Sequence, residues 1–99
     1  MDAPQPIDRI VLINTRAEAL SVELVARIDE KGDLVLEGWD RGTRVQELTD
    51  DWDYEYWLRL ARDYKDTVLL HLIKERFAND GELMQWLKEK NIPYEFESF

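Results

Sequence analysis

Apolar and polar residues alternate over long stretches of the first half of the chain, and this alternation predicts β-strands. Between residues 20–28 every second side chain is apolar, which is the period of a strand with one buried face. A short polar turn follows, and its Gly32 suits the left-handed position of a three-residue hairpin loop. In the resulting register Ile28 lies opposite Leu34, so the apolar positions of both strands share one face. The pattern therefore predicts a hairpin over residues 20–39.

Two further segments in this part of the chain have the character of strands. Residues 10–13 are a continuous apolar run, which is short but compatible with a buried strand. Residues 52–60 carry apolar side chains at every second position and are rich in aromatic residues, as is typical of a longer strand. Between the hairpin and this strand, Thr43 and Gln46 have the spacing of a capping box, which predicts a short helical turn over residues 44–49.

The last third of the chain changes to a helical pattern. Asp63 is the predicted N-cap of a first helix, in which apolar side chains recur three and four residues apart. Asn79 and Glu82 form a second capping-box pattern at the start of a helix over residues 82–90. Pro93 cannot continue that helix, and the aromatic residues that follow it predict a final strand.

In chain order these segments predict an α+β fold with the order β-β-β-β-α-α-β. Each element has one apolar side to cover, which favours one mostly antiparallel sheet of about four to five strands with both helices packed on one face. Residues 1–7 contain two prolines and no periodicity, so we expect a loose N-terminal tail there. Residues 8–99 are then predicted to form a single domain.

Acidic residues outnumber basic ones, and the excess is concentrated in the middle of the chain. The 99 residues include 22 Asp and Glu against 13 Lys and Arg, which gives a formal net charge of −9. Residues 29–58 alone hold ten acids and three bases. Such a surface repels phosphate backbones and anionic lipid headgroups, so direct binding to nucleic acid or membrane is not expected, while a basic protein would be attracted. The plain alternative is that this charge only keeps a small domain soluble.

The composition also excludes several kinds of chemistry. A chain without cysteine has no disulfides, no thiolate metal sites and no cysteine nucleophile. The four glycines all lie where turns are expected, so the sequence contains no glycine-rich phosphate loop. His71, the only histidine, is accompanied by neither a nucleophile nor an orienting acid in a recognisable motif. We therefore predict a protein that is not an enzyme and uses no cofactor.

Three acids at alternate positions, Asp51, Asp53 and Glu55, form the first candidate site. In an extended strand they would point the same way, about 7 Å apart at each step. Oxygen ligands of this kind suit Mg²⁺ or Ca²⁺, but neighbouring side chains of a strand diverge, and the segment lacks the glycine of a calcium loop. The other interpretations are a solvated strand face and, because aromatic residues flank the acids, a surface that recognises a protein.

Two tryptophans form the second candidate site. In the hairpin register Trp39 points away from the apolar face, and Trp57 points away from the side of its strand that carries Tyr54 and Leu58. Together they predict an apolar island on an acidic sheet surface, which is typical of a site for a partner or for self-association. The alternative is that the sheet curls and that a neighbouring segment covers both indoles.

The sequence thus favours a small acidic protein-binding or regulatory domain that acts through this acidic and aromatic sheet surface. The expected partner is another protein, charge favours a basic one, and a homodimer is a second expectation. A metal-dependent enzyme using the three acids and a purely structural homo-oligomer are the alternatives. With no apolar stretch long enough to span a bilayer and no signal-peptide pattern, the expected location is the cytoplasm. The predicted partner-binding residues are Trp39, Asp51, Asp53, Glu55 and Trp57.

Overall fold

The computed structural model describes residues 4–99, which divide into two compact units. The first is Ile7–Lys65, and the second includes Asp66–Phe99. The predicted tail, residues 1–7, lies partly outside the described residues. In chain order the elements are β1 (Arg9–Thr15), β2 (Ser21–Ile28), β3 (Leu34–Arg41), α1 (Thr43–Thr49), β4 (Asp53–Leu60), α2 (Arg62–Arg76) and α3 (Asp80–Glu89).

The first unit is built on one antiparallel sheet with the strand order β1-β2-β3-β4, which confirms the α+β class. The predicted hairpin register is confirmed, since Ile28 pairs with Leu34 and every later pair of β2 and β3 follows from it. Gly32 adopts a φ of +87°, the left-handed conformation that its loop requires. The loop closes with a hydrogen bond of 3.0 Å from the Asp29 N–H to the Asp33 carbonyl oxygen.

The two faces of the sheet differ in chemistry, because side chains alternate along each strand. One, which we name the apolar face, carries Leu24, Ala26 and Ile28 of β2, Leu34 and Leu36 of β3, and Leu58 and Leu60 of β4. The other, which we name the tryptophan face, carries Val25 and Arg27 of β2, Val35, Glu37 and Trp39 of β3, and Glu55 and Trp57 of β4. Val25 and Val35, two of the three buried apolar side chains of the described chain, lie on the tryptophan face.

On the apolar face, the ring of Tyr56 lies over Gly38, so closely that a Cβ at Gly38 would collide with the ring. The Tyr56 hydroxyl donates a hydrogen bond of 3.2 Å to the Asp40 carboxylate. Burial raises the pKa of Tyr56, and the hydrogen bond to Asp40 and the negative charge of that carboxylate raise it further. The glycine therefore makes room for the aromatic ring that fixes the cross-strand contact between β3 and β4.

The start of α2 is held by the β2–β3 loop, and the prediction that Asp63 caps this helix is wrong. The helix begins at Arg62, so Asp63 lies inside its first turn. The free N–H of Arg62 donates instead to the carboxylate of Asp33 at 2.9 Å, and the Lys65 ammonium donates to the Gly32 carbonyl oxygen at 3.0 Å. A cap supplied by a residue so distant in sequence leaves no local spacing signal.

The second unit contains most of α2 and all of α3. Asn79 is the N-cap of α3, as predicted, and its side chain accepts a hydrogen bond of 3.0 Å from the Glu82 N–H. The Glu82 carboxylate reaches back to the Ala78 N–H at 2.7 Å, one residue before the position of a standard capping box. The Phe77 and Trp86 rings meet edge to face, with their centroids 5.9 Å apart.

Two parts of the predicted element order are wrong. Residues 92–99 form no strand in the structure, so the chain order ends with helices rather than with a fifth strand. Pro93 lacks the N–H that a ladder needs, and this segment has no strand beside it in the sheet order. The expected helical turn at residues 44–49 is a helix, α1, which adds an element between β3 and β4 that the predicted order lacks. Gly42 is the N-cap of α1 and no side chain caps it, so the Thr43 capping box does not form. That α2 and α3 cover one face of the sheet stays a prediction.

Candidate functional site

The register of the sheet brings acids and tryptophans of three strands together on the tryptophan face. Glu23, Trp39 and Glu55 are direct neighbours in one cross-strand row. Glu37 and Trp57 are direct neighbours in the adjacent row. Side chains in such rows have Cβ atoms about 4.5–5.5 Å apart, so these five groups form one surface.

This surface is concave and forms an open cavity of about 350 Å³. The short side chain of Val25 and the backbone of Gly38 contribute to its lining, and the larger groups around them stand above the sheet. The larger lining residues are Glu23, Arg27, Glu37, Trp39, Glu55 and Trp57, with Arg9 at the β1 side. A cavity of this size is at the lower end of the range for small-ligand sites and is large enough for one long side chain of a partner.

The structure brings three of the five predicted partner-binding residues into this cavity. Trp39, Glu55 and Trp57 line it, and both indoles lie on the predicted side of their strands. Asp53 lies on the same face, opposite Arg41, but does not line the cavity. Asp51 comes before β4 begins, and its carboxylate accepts a hydrogen bond of 2.8 Å from the Trp52 N–H.

Four charged lining residues are not among the site residues predicted from the sequence: Arg9, Glu23, Arg27 and Glu37. The hairpin register alone places Glu23 opposite Trp39, so this acid had a usable signal. The other neighbours follow only from the registers of β1 with β2 and of β3 with β4, which depend on strands joined by longer connections. Sequence periodicity assigns the face of each strand but not which residues become neighbours across strands.

The charges in the cavity are only partly compensated. The Arg27 guanidinium lies 3.5 Å from the Glu37 carboxylate, and both side chains are partly exposed, so this pair contributes little to stability. In contrast, neither Glu23 nor Glu55 has a cationic group within 4.0 Å anywhere in residues 4–99. These two carboxylates flank Trp39 on both sides and are exposed. A positive group placed over this row would therefore meet a carboxylate on each side.

Trp39 already holds a cation within the chain. The Arg41 guanidinium carbon lies 4.0 Å from the centroid of the Trp39 ring system, which is the geometry of a cation–π contact. The Trp39 Nε1 atom is buried and has no hydrogen-bond acceptor in the described part of the chain. A buried indole N–H without an acceptor is unusual, and among the described residues no other buried side-chain nitrogen or oxygen lacks a hydrogen-bond partner.

Beside the cavity, Asp29 at the hairpin end compensates two arginines of the tryptophan face. Burial raises the pKa of the Asp29 carboxyl, but hydrogen bonds from the Asp33 and Lys31 N–H groups and the charges of Arg27 and Arg59 outweigh it, so the pKa lies below its usual value. The Arg59 guanidinium lies 3.7 Å from this carboxylate. Asp29 thus links Arg27 and Arg59 of the tryptophan face to the hairpin loop by charge.

We expect the stability of Asp29→Asn to fall less in acid than that of the unaltered chain. Because the folded-state pKa of Asp29 is lowered, its contribution is present above the unfolded value of 3.8 and is lost as the pH falls through the folded value. The free energy of unfolding of the unaltered chain exceeds that of Asp29→Asn at about pH 7, and this difference, measured by urea unfolding, should become smaller towards about pH 2.5. Glu30→Gln, one residue further in the same loop, is the control and should show no such narrowing. A gap for Asp29→Asn that stays constant with pH would contradict the assignment.

The remaining candidates of the sequence have no built site around them. Within residues 4–99 no group of three Asp, Glu or His side chains is placed to hold a metal ion, and Asp51 lies outside the strand that carries Asp53 and Glu55. His71 is exposed on α2. In the described residues no helix is both long and apolar enough to cross a membrane.

The fold is thus an α+β arrangement in which a four-stranded sheet carries an acidic, tryptophan-lined cavity. No protein-family model matches the chain, and no curated protein or solved structure matches it either. The chemistry of the cavity is therefore the basis for a functional proposal.

Proposed function

We propose that this chain is a small protein-binding domain that takes a basic segment of another cytoplasmic protein into the cavity of the tryptophan face. The observation that carries the proposal is the placement of two indoles, Trp39 and Trp57, in one cavity with the uncompensated carboxylates of Glu23 and Glu55. Aromatic rings next to acids supply the two attractions that an arginine or lysine side chain uses, a π face and an opposite charge.

The Arg41–Trp39 contact supports this choice of ligand. It demonstrates that a guanidinium and this indole are compatible in geometry, at 4.0 Å from the ring centroid. A cation–π contact contributes about 0.5–1 kcal/mol at an exposed site and about 2 kcal/mol where water is excluded. Trp57 lines the same cavity, is 52% exposed and has no cation over its ring in the described chain. Its ring is therefore the free position for a partner's cation.

The balance of charge in the cavity points in the same direction. Among the lining residues the Arg27–Glu37 pair neutralises itself, which leaves Glu23 and Glu55 against Arg9 at the β1 side, while Arg41, which is outside the lining, lies over the Trp39 ring. The formal net charge of −9 adds a long-range field that attracts a basic protein and increases the rate of encounter. This attraction must weaken with salt, since exposed charges are screened beyond about 10 Å at 0.1 M ionic strength.

Binding of a hexa-arginine peptide tests the proposal. We expect the peptide to change the tryptophan fluorescence of the chain saturably at about 0.05 M salt and to bind at least tenfold more weakly at about 0.5 M salt. The double variant Glu23→Gln/Glu55→Gln should weaken binding by about tenfold and reduce the salt dependence, because it removes the two uncompensated carboxylates but keeps their shape.

The control for this experiment changes the same number of charges elsewhere. Glu30→Gln/Glu47→Gln alters two exposed acids that do not line the cavity. Equal weakening by both double variants would show that only the net charge matters, and would exclude the cavity as the binding site. No saturable binding of hexa-arginine or hexa-lysine at low salt would exclude a basic ligand altogether, and would leave solubility as the role of the charge.

A further inference from the structure

The outer edge of β4 is a regular strand edge. Within the described residues β4 pairs only with β3, so its other side has no partner strand. All eight residues of β4 follow a continuous register with β3, and the strand contains no proline and no lysine. Natural sheets normally protect their edges with such residues or with irregular pairing. β4 has none of these three protections.

The opposite edge differs in this respect. In β1 the register with β2 shifts between Val11 and Ile13, which is a β-bulge at Leu12. The bulge changes which side chains point to each face on either side of it. Two copies of β1 paired around a twofold axis would therefore mismatch their faces, unless the axis passed through the bulge itself. The structure thus distinguishes a bulged edge, β1, from one with a continuous register, β4.

The charges of β4 are complementary to a second, antiparallel copy of the same strand. On the tryptophan face the acids Asp53 and Glu55 lie in the first half of the strand, and Arg59 lies near its end. Antiparallel pairing brings the beginning of one strand to the end of the other. An axis at Tyr56 places Arg59 opposite Asp53 of the second copy, and an axis at Trp57 places it opposite Glu55. In either register the two residues that lie opposite each other belong to the same face of β4, so each face of one sheet continues into the same face of the other.

The side chains on the apolar face of β4 also suit this pairing. Tyr54 is 51% exposed and Leu58 is 64% exposed, although both belong to the apolar face. With the axis at Tyr56, Tyr54 of each copy lies opposite Leu58 of the other. Aromatic and aliphatic cross-strand pairs of this kind stabilise an antiparallel ladder.

We propose that two copies of this chain associate through their β4 edges, antiparallel, with Arg59 of each copy against an acid in the first half of the other β4. The sheet then continues across the dimer, and the cavities of both copies open on the same face. A single strand pair buries less than the area of about 1,000 Å² expected of a stable interface, so the dimer is weak. This association uses the edge of β4 rather than the cavity: with the axis at Tyr56 the acid it engages, Asp53, does not line the cavity, whereas with the axis at Trp57 it engages Glu55, which does.

Sedimentation equilibrium of the complete chain, from about 1 µM to about 0.5 mM, tests the proposal. The unaltered chain should show a concentration-dependent monomer–dimer equilibrium. Arg59→Glu places like charges together at both ends of the interface and should weaken the dimer by about tenfold or more. Arg59→Glu/Asp53→Arg, or Arg59→Glu/Glu55→Arg, should restore dimerisation, and the variant that does so identifies the axis as Tyr56 or Trp57.

Arg9→Glu is the matched control, since Arg9 is an exposed arginine on the tryptophan face of the opposite edge strand. It should leave the equilibrium unchanged. Because Arg59→Glu also removes the contact with Asp29, circular dichroism must show that this variant is folded, and the rescue variants keep the test decisive. A chain that stays monomeric at the highest concentration, failure of both rescues, or equal weakening by Arg9→Glu would overturn the proposal. Each of these results leaves the peptide-binding experiment unaffected.

Discussion

Gly42→Ala should destabilise the chain by about 3 kcal/mol. Gly42 has a φ of +126° and a ψ of −176°, a conformation that is open almost only to glycine. An added Cβ would also lie 2.6 Å from the Ala19 carbonyl oxygen and 2.8 Å from its carbon. These are backbone atoms and cannot rotate away, so both the strain and the collision must be relieved by moving the chain.

The position of Gly42 explains why such a movement is costly. Its N–H donates to the Trp52 carbonyl oxygen at 3.2 Å, and the Arg44 N–H donates to the Ala19 carbonyl oxygen at 2.9 Å. The glycine thus joins the start of α1 to the loop before β2 and to the residue before β4. A shift at this point disturbs the entry of β4 into the sheet.

Urea unfolding followed by circular dichroism measures the effect, with Gly32→Ala as the control. Gly32 also has a positive φ, +87°, but a Cβ there would meet only the Arg62 side chain at an ordinary 3.7 Å. We expect Gly32→Ala to lose about 1 kcal/mol, the cost of the left-handed conformation without a collision. If Gly42→Ala lost no more than Gly32→Ala, the close approach to Ala19 would not be a feature of the folded protein.

These two glycines show what the sequence could predict of the fold. Gly32 lies between two strands whose alternation fixes the loop length, so local pattern and turn chemistry agree and the register follows. Gly42 is required by a contact with Ala19, which no local pattern reveals. The same reason accounts for the cap of α2, because its carboxylate comes from Asp33. The predicted final strand is wrong because a strand needs a partner, and aromatic residues after Pro93 indicate only that an extended segment is compatible there.

The site divides in the same way. Alternation was enough to place Trp39 and Trp57 on one side of their strands, since the direction of a side chain depends only on the strand period. It was not enough to show that Glu23 and Glu55 flank Trp39, because that depends on two registers at once. Asp51 points the same way as Asp53 and Glu55 only if the chain is already extended at Asp51, and β4 begins at Asp53. Element ends are where local patterns carry the least information.

Trp57→Ala should weaken the binding of hexa-arginine by about thirtyfold, or about 2 kcal/mol, which is the effect expected of an aromatic anchor in a partner-binding site. The indole offers both an apolar surface and the free π face of the cavity, and alanine removes both. Trp57→Phe should recover part of the affinity, since phenylalanine keeps a weaker π face. The peptide titration at about 0.05 M salt is the measurement, followed by the remaining tryptophan fluorescence or by calorimetry.

Trp52→Ala provides a closely matched control. Trp52 and Trp57 are both 52% exposed, so both substitutions remove the same area of indole from the surface. Trp52 precedes β4 and does not line the cavity, whereas Trp57 does. Nonspecific attraction between the peptide and exposed indoles predicts equal losses for the two variants. A site on the tryptophan face predicts a large loss for Trp57→Ala and almost none for Trp52→Ala, because only Trp57 lies in the same cavity as Trp39, Glu23 and Glu55.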